Sequence, residues 1–278
     1  MKKKKRTLLW ALEPGAELVA AGLVPATSYL FGTMHVRDQR AFGYLEQVYE
    51  RIEACSAFAT EFNLEEMNPE AALNMMRLPA GQHLEELFSP KRYQKLRRIF
   101  AKTTGIQLDL FPFAKPLLIS NLISEAVLSK DMPHSLDESL WRHARSQGKV
   151  LLGLETYAQQ AAVVQRIPLD YQVKALRDIG KNFRSFRRQL LRMTELYARA
   201  DLQQLCRQAR KNAGGLREIL LYQRNHHMAA RIEAINHEHS LCCAIGAGHL
   251  AGKRGVLRQL KKRGYQLRPI PAEKRVEG

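Results

Sequence analysis

Histidine paired with carboxylate is what a hydrolytic centre needs, and this chain sets both types at the ends of apolar runs. "SYLFGTMHV" (28–36) breaks at Gly32 and places His35 three residues on, and "LCCAIGAGHL" (241–250) repeats the arrangement with Gly246 and His249. A third run, Ala57–Thr60, leads to Glu61, and a fourth, Val150–Leu154, leads to Glu155. Two imidazoles and a carboxylate are ligand types for a divalent metal with open positions, which polarises a carbonyl and acidifies a bound water. Without metal, a histidine held by a carboxylate can deprotonate water directly. Gly32 and Gly246 suit either chemistry, because a residue lacking Cβ lets a strand turn sharply or approach a ligand closely.

The other chemistry-bearing residues are less specific. "LLYQRNHHMAARI" places Arg224 on a helix whose apolar face is Leu216, Leu220 and Ala230. Arg224 can clamp a carboxylate or orient Glu61 or Glu155, but by sequence alone an ordinary surface arginine is the better reading. His226 and His227 point about 100° apart on that helix and do not share one ion. His237 and His239 lie in the polar stretch "NHEHS", and all four read as surface residues. No G-x-S-x-G elbow, H-E-x-x-H or P-loop occurs.

These residues need a sheet to bring them together. The four runs read as strands, with Tyr265–Ile270 as a fifth, and long helical patterns separate them. The expected fold is α/β: a central mixed sheet with flanking helices, a large helical insertion, and a site at the carboxyl ends of the strands. Residues 89–104 and 113–130 read as helices, and a further helix starts at Ser135, with Glu138 completing a capping box, and ends near Gly148. From Pro168 to Tyr197 the apolar residues keep steps of three and four, predicting one continuous helix face over about eight turns. A last helix is expected from Arg254 to Arg263, stopped by Gly264. The organisation expected is one domain over 7–271, with helical insertions at 65–147 and 157–235 and a basic tail at 1–6.

Composition narrows the function classes. The chain has 278 residues, 45% hydrophobic, enough for a sizeable core. Cys55, Cys206, Cys242 and Cys243 show no paired spacing and read as buried free thiols of a reducing compartment. The net charge of +17 is dispersed and accompanied by no nucleic-acid motif, so specific nucleic-acid recognition is not expected. "MKKKKRTLLWALEPG" starts like a signal peptide, but its apolar stretch meets Glu13 and Pro14 at once. No segment approaches the roughly 20 apolar residues of a membrane span. A cytoplasmic location follows as the expectation for the sequence as written; the oligomeric state is not legible.

At these residues the chain resembles the TraB/GumN family, related to the Tiki metalloproteases and to erythromycin-esterase-like and ChaN-like proteins. The resemblance runs from about Trp10 to Pro269. It rests on "SYLFGTMHV", "FATEFNL", "LPAGQHLEELF", "LDESL…GKVLLGLETYAQQ" with Asp137, Glu155 and Gln160, "LYARADLQQL", "LYQRNHHMA" and "AIGAGHLAGKRGVLRQLKKRGYQLRPI". It implies a metal-dependent peptidase in which His35, Glu61 and His249 hold a divalent ion, manganese or cobalt, with zinc the third option. It also implies that Glu155, Arg224, Asn225 and Gln160 line the same site, with Glu61 or Glu155 as base and Arg224 stabilising negative charge. The partner expected is a peptide or small-molecule substrate. The esterase-like branch implies instead a metal-free histidine base, and a non-catalytic module for a small ligand, haem or peptide signal is the third reading. Tiki relatives are extracellular and membrane-anchored, so their substrates do not transfer.

Overall fold

The computed structural model describes residues 6–22 and 26–272. Six strands form one mixed sheet: β1 (Leu9–Pro14), β2 (Ser28–Thr33), β3 (Ala57–Phe62), β4 (Val150–Glu155), β5 (Leu241–Gly246) and β6 (Tyr265–Ile270), in the order β4-β3-β5-β2-β1-β6. The four strands from β4 to β2 are mutually parallel, and β1 runs antiparallel to both β2 and β6. The expected α/β architecture is therefore present. In β5, Leu241 to Ile245 are all fully buried, as an unbroken apolar run in the middle of a parallel sheet requires.

Register decides what can meet. Thr33 pairs with Gly246 across β2 and β5, and Phe62 pairs with Glu155 across β3 and β4. The carboxyl ends of each pair thus finish level. Glu61 lies inside β3 rather than after it, because the strand runs on to Phe62.

The chain divides into two compact units. The first (Met1–Glu66, Lys130–Gln160, Thr194–Gly278) contains the sheet, with Leu8, Leu9, Phe31 and Phe58 fully buried in its core. The second (Met67–Ser129, Ala161–Met193) is helical around a core including Leu84, Phe100, Ile119, Ile123 and Leu176. The tail expected at 1–6 lies, apart from Arg6, outside the described residues.

Several local expectations change. β1 has a weak sequence signal, its apolar core being only a few residues long before Glu13 and Pro14, and what makes it a strand is pairing on both sides. The helix expected from Pro168 to Tyr197 is two helices, Leu169–Lys181 and Phe183–Ala198, broken at Asn182 where φ is −129°. The break leaves the three-and-four spacing almost intact, so periodicity did not reveal it. Ser135 does cap its helix, its hydroxyl accepting from the Glu138 N–H at 3.3 Å, but the Glu138 carboxylate pairs with His134 and Arg142. The last helix is shorter, Val256–Lys262, and Gly264 beyond it takes φ +93°. All four cysteines are free and buried, and burial pushes the Cys55 thiol up to about 12 and that of Cys206 to about 11.

One glycine in β4 permits a close backbone approach beside Glu155. A Cβ on Gly153 would lie 2.6 Å from both the Asn63 N and the Glu155 O, backbone atoms that cannot swing aside. Gly153→Ala is expected to destabilise the first unit by about 1–3 kcal/mol, the usual cost of overpacking, as read by urea melting.

Candidate functional site

Arg224 is the hub of a polar cluster at the ends of β3, β4 and β5. Its Nε lies 3.0 Å from both oxygens of Glu155, and its Nη2 donates to Glu155 Oε2 at 2.6 Å and to Glu61 Oε2 at 2.5 Å. Gln160 Nε2 reaches the same two carboxylates, at 3.2 Å to Glu155 and 3.4 Å to Glu61. The Glu155 side chain is only 4% exposed. Burial opposes the charge on Arg224, but the hydrogen bond to Glu155 and the charge of Glu61 hold it firmly protonated.

Glu61 Oε1 is held separately by the Gly246 N–H at 2.8 Å. This contact explains the second glycine: a Cβ on Gly246 would stand 3.0 Å from Glu61 Oε1. Gly32 serves packing instead, since a Cβ there would lie 2.5 Å from the Leu250 side chain. Burial pushes the Glu61 carboxyl up, but His249, Arg224 and the Gly246 N–H together bring it down to about 2.

His249 is buried, with its Nε2 3.8 Å from Glu61 Oε1. Its Nδ1 lies 2.6 Å from Asn225 Oδ1. The Asn225 amide has a fixed orientation, because its Nδ2 donates to the Arg254 carbonyl at 2.8 Å, and a carbonyl can only accept. The proton therefore sits on His249 Nδ1, leaving the lone pair on Nε2. Burial lowers the His249 pKa below its ordinary value, so the ring is neutral near pH 7. Cys206 Sγ braces the loop that carries it, donating to the Ala247 O and accepting from the Ala251 N–H.

The structure thus brings together Glu61, Glu155, Gln160, Arg224, Asn225, Gly246 and His249. His35 meets Asp137. Its side chain is 77% exposed, and its Nδ1 is 3.5 Å from Asp137 Oδ2. Asp137 Oδ1 in turn accepts from the Thr33 hydroxyl at 2.6 Å, and the Gly32 carbonyl accepts from Tyr197. Thr33, Tyr197 and Cys206 were missed as supporting residues, and no sequence pattern marks them.

The helix carrying Arg224 and Asn225 differs from expectation for a physical reason. A π-helical turn, Glu218–Tyr222, precedes Gln223–Ile235 and shifts the helical phase. Asn225, Met228, Ala229 and Ile232 are consequently the buried face, rather than one continuing from Leu216 and Leu220.

Among the described residues no three His, Cys, Asp or Glu side chains converge to hold a metal ion. Of the expected set, Glu61 and His249 lie 3.8 Å apart, and His35 meets Asp137 at 3.5 Å. As placed, these residues do not fit a resident divalent metal.

Acid behaviour follows from two shifts of the same sign. Glu61 adds stability above pH 4.5, its ordinary value, that is lost as pH falls toward about 2. His249, lowered on folding, lets the unfolded chain bind a proton first below pH 6.5, so stability also falls there. Glu61→Gln is expected to flatten the stability profile between pH 4.5 and 2, measured by urea midpoints.

A family model described as the TraB/PrgY/gumN family matches residues 22–269. The chain belongs to the TraB/PrgY/gumN family. Among curated proteins, this family member is similar to Metalloprotease TIKI2 of Danio rerio, 25% identical over 88% of the chain and 59% of the relative. It is also similar to the Metalloprotease TIKI homolog of Amphimedon queenslandica, 24% identical over 90% and 61%, and to Metalloprotease TIKI1 of Danio rerio at 22% over 88% and 61%. The chain spans about three fifths of the length of these curated relatives. No solved structure gives a significant match. Among the described residues no helix is long and apolar enough to cross a membrane.

Proposed function

We propose that this TraB/PrgY/gumN family member is a hydrolase of peptide bonds working at the His249–Glu61–Arg224–Glu155 cluster. The observation that carries the reading is the orientation of His249: a neutral imidazole, fixed through Asn225, with its lone pair at Nε2 beside Glu61. The names of the relatives support the peptide bond as substrate at the family level.

His249 Nε2 takes the proton of an attacking water, and Glu61, 3.8 Å away, stabilises the imidazolium that forms. Glu61 stays ionised and is a weak base. Glu155 holds Arg224 and leaves its Nη1, which has no hydrogen-bond partner among the described residues, to meet the developing oxyanion.

A second reading has a specific observation behind it. Two carboxylates against one guanidinium and a neutral histidine leave one uncompensated negative charge, and a cation neutralises it. That reading requires His35 to leave Asp137, after which Glu61, His249 and His35 would hold manganese, cobalt or zinc.

Digestion of a peptide library by wild type and by His249→Gln, followed by mass spectrometry, tests both. Cleavage that survives chelator and is lost in the variant supports the histidine base. Cleavage lost to chelator and restored by manganese supports the metal reading. No cleavage under any of these conditions overturns the peptidase assignment.

A further inference from the structure

We propose that the helical unit carries an anion site of its own, a cleft that binds a phosphate-bearing ligand with a planar body, such as a nucleoside phosphate. The cleft is open to solvent, offers about 750 Å3, and is lined by Thr103, Phe183, Arg184, Arg187 and Arg188. Four of these five residues come from the start of one helix, Phe183–Ala198. Arg187 and Arg188 stand three and four positions after Arg184, so the three guanidiniums share a side of the helix.

These arginines are uncompensated. Elsewhere in the unit Arg97 pairs with Asp109 and Arg177 with Asp178. Arg184, Arg187 and Arg188 have no ion-pair partner among the described residues. The whole unit holds 16 Lys and Arg against 7 Asp and Glu, so no local surplus of carboxylates is at hand. Like charges at this spacing weaken a helix, and a bound anion offsets that. The first turn of the helix, where Arg184 sits, adds its own positive field.

The chemistry selects phosphate over a single carboxylate. Three guanidinium forks offer more donors than two carboxylate oxygens accept, whereas a phosphate monoester presents three acceptor oxygens and close to two negative charges. The Thr103 hydroxyl donates to the Ile99 carbonyl at 2.7 Å, so the donors facing the ligand are the arginines. Phe183, packed against the unit's core, supplies an apolar wall. The open cleft leaves room for more than one phosphate. A planar group against Phe183 fills the remainder.

Calorimetry on the full chain tests this with ADP, inorganic pyrophosphate, adenosine, a 5′-phosphorylated oligonucleotide and a glutamate-rich peptide. ADP is expected to bind at one site, about tenfold more weakly in Arg184→Gln and in Arg188→Gln, with pyrophosphate weaker than ADP and adenosine silent. Both arginines are exposed, so their variants keep the fold. Arg92→Gln removes one exposed charge elsewhere in the unit and is expected to leave binding within twofold. An oligonucleotide that binds more tightly than ADP, with the same arginine dependence, identifies a strand terminus as the source of the phosphate. Absence of saturable ADP binding, equal losses in Arg92→Gln, or tighter binding of the acidic peptide overturns the proposal.

Discussion

Arg224→Met is expected to cost about 3–5 kcal/mol of folding stability, the usual loss when one partner of a buried ion pair is removed. The side chains are 14% exposed at Arg224 and 4% at Glu155, and the guanidinium makes three short contacts with Glu155 and one with Glu61. Methionine fills much of the arginine volume, so the loss is electrostatic: a buried carboxylate keeps its desolvation penalty and loses its counter-charge. Gln160, with a single amide, does not replace it. The double variant Arg224→Met/Glu155→Gln, which removes the orphaned charge, is expected to recover more than half of the loss. Urea melting reads both. A single-variant loss below about 1 kcal/mol, typical of an exposed pair, would show that the cluster is solvated and open.

Turnover is expected to fall about 10²–10⁴-fold in His249→Gln, the range for losing a general base, with little change in KM. Asn225→Leu keeps the imidazole but removes its orienting acceptor, so a smaller loss is expected. It should be accompanied by a changed acid limb of kcat. In wild type that limb lies below the ordinary histidine range, because burial lowers the His249 pKa. Activity is therefore retained as pH drops through 6.5 and fails only below it. An unchanged rate in His249→Gln would remove the histidine from the mechanism.

Much of this site was legible in the sequence, because strands placed it. Apolar runs that end in Glu61, Glu155 and Gly246 read as strands from composition alone, and register sets their ends level. Arg224 became legible only through the family resemblance, since on a helix an arginine over a buried carboxylate has the same local sequence as one in solvent. His35 shows the limit of motif symmetry. Both G-x-x-H segments follow neighbouring parallel strands, yet His249 enters a 3-10 turn, Ala247–His249, braced by Cys206, while His35 follows an irregular segment and meets Asp137. Asp137 is 102 residues away in sequence, and no local pattern announces that contact. The same reasoning covers the π-helical turn at Glu218–Tyr222 and the break at Asn182, each a one-residue change of phase that apolar spacing tolerates.

Hydrolysis at this cluster depends on one atom, the Nε2 lone pair of a neutral His249. Nitrogen-15 NMR of histidine-labelled protein at pH 7, with His249→Gln used to assign the resonance, measures it directly without a known substrate. The expected result is a neutral ring protonated at Nδ1, and in Asn225→Leu a shift toward the mixture of tautomers found in free histidine. An imidazolium at pH 7, or a ring protonated at Nε2, would contradict it.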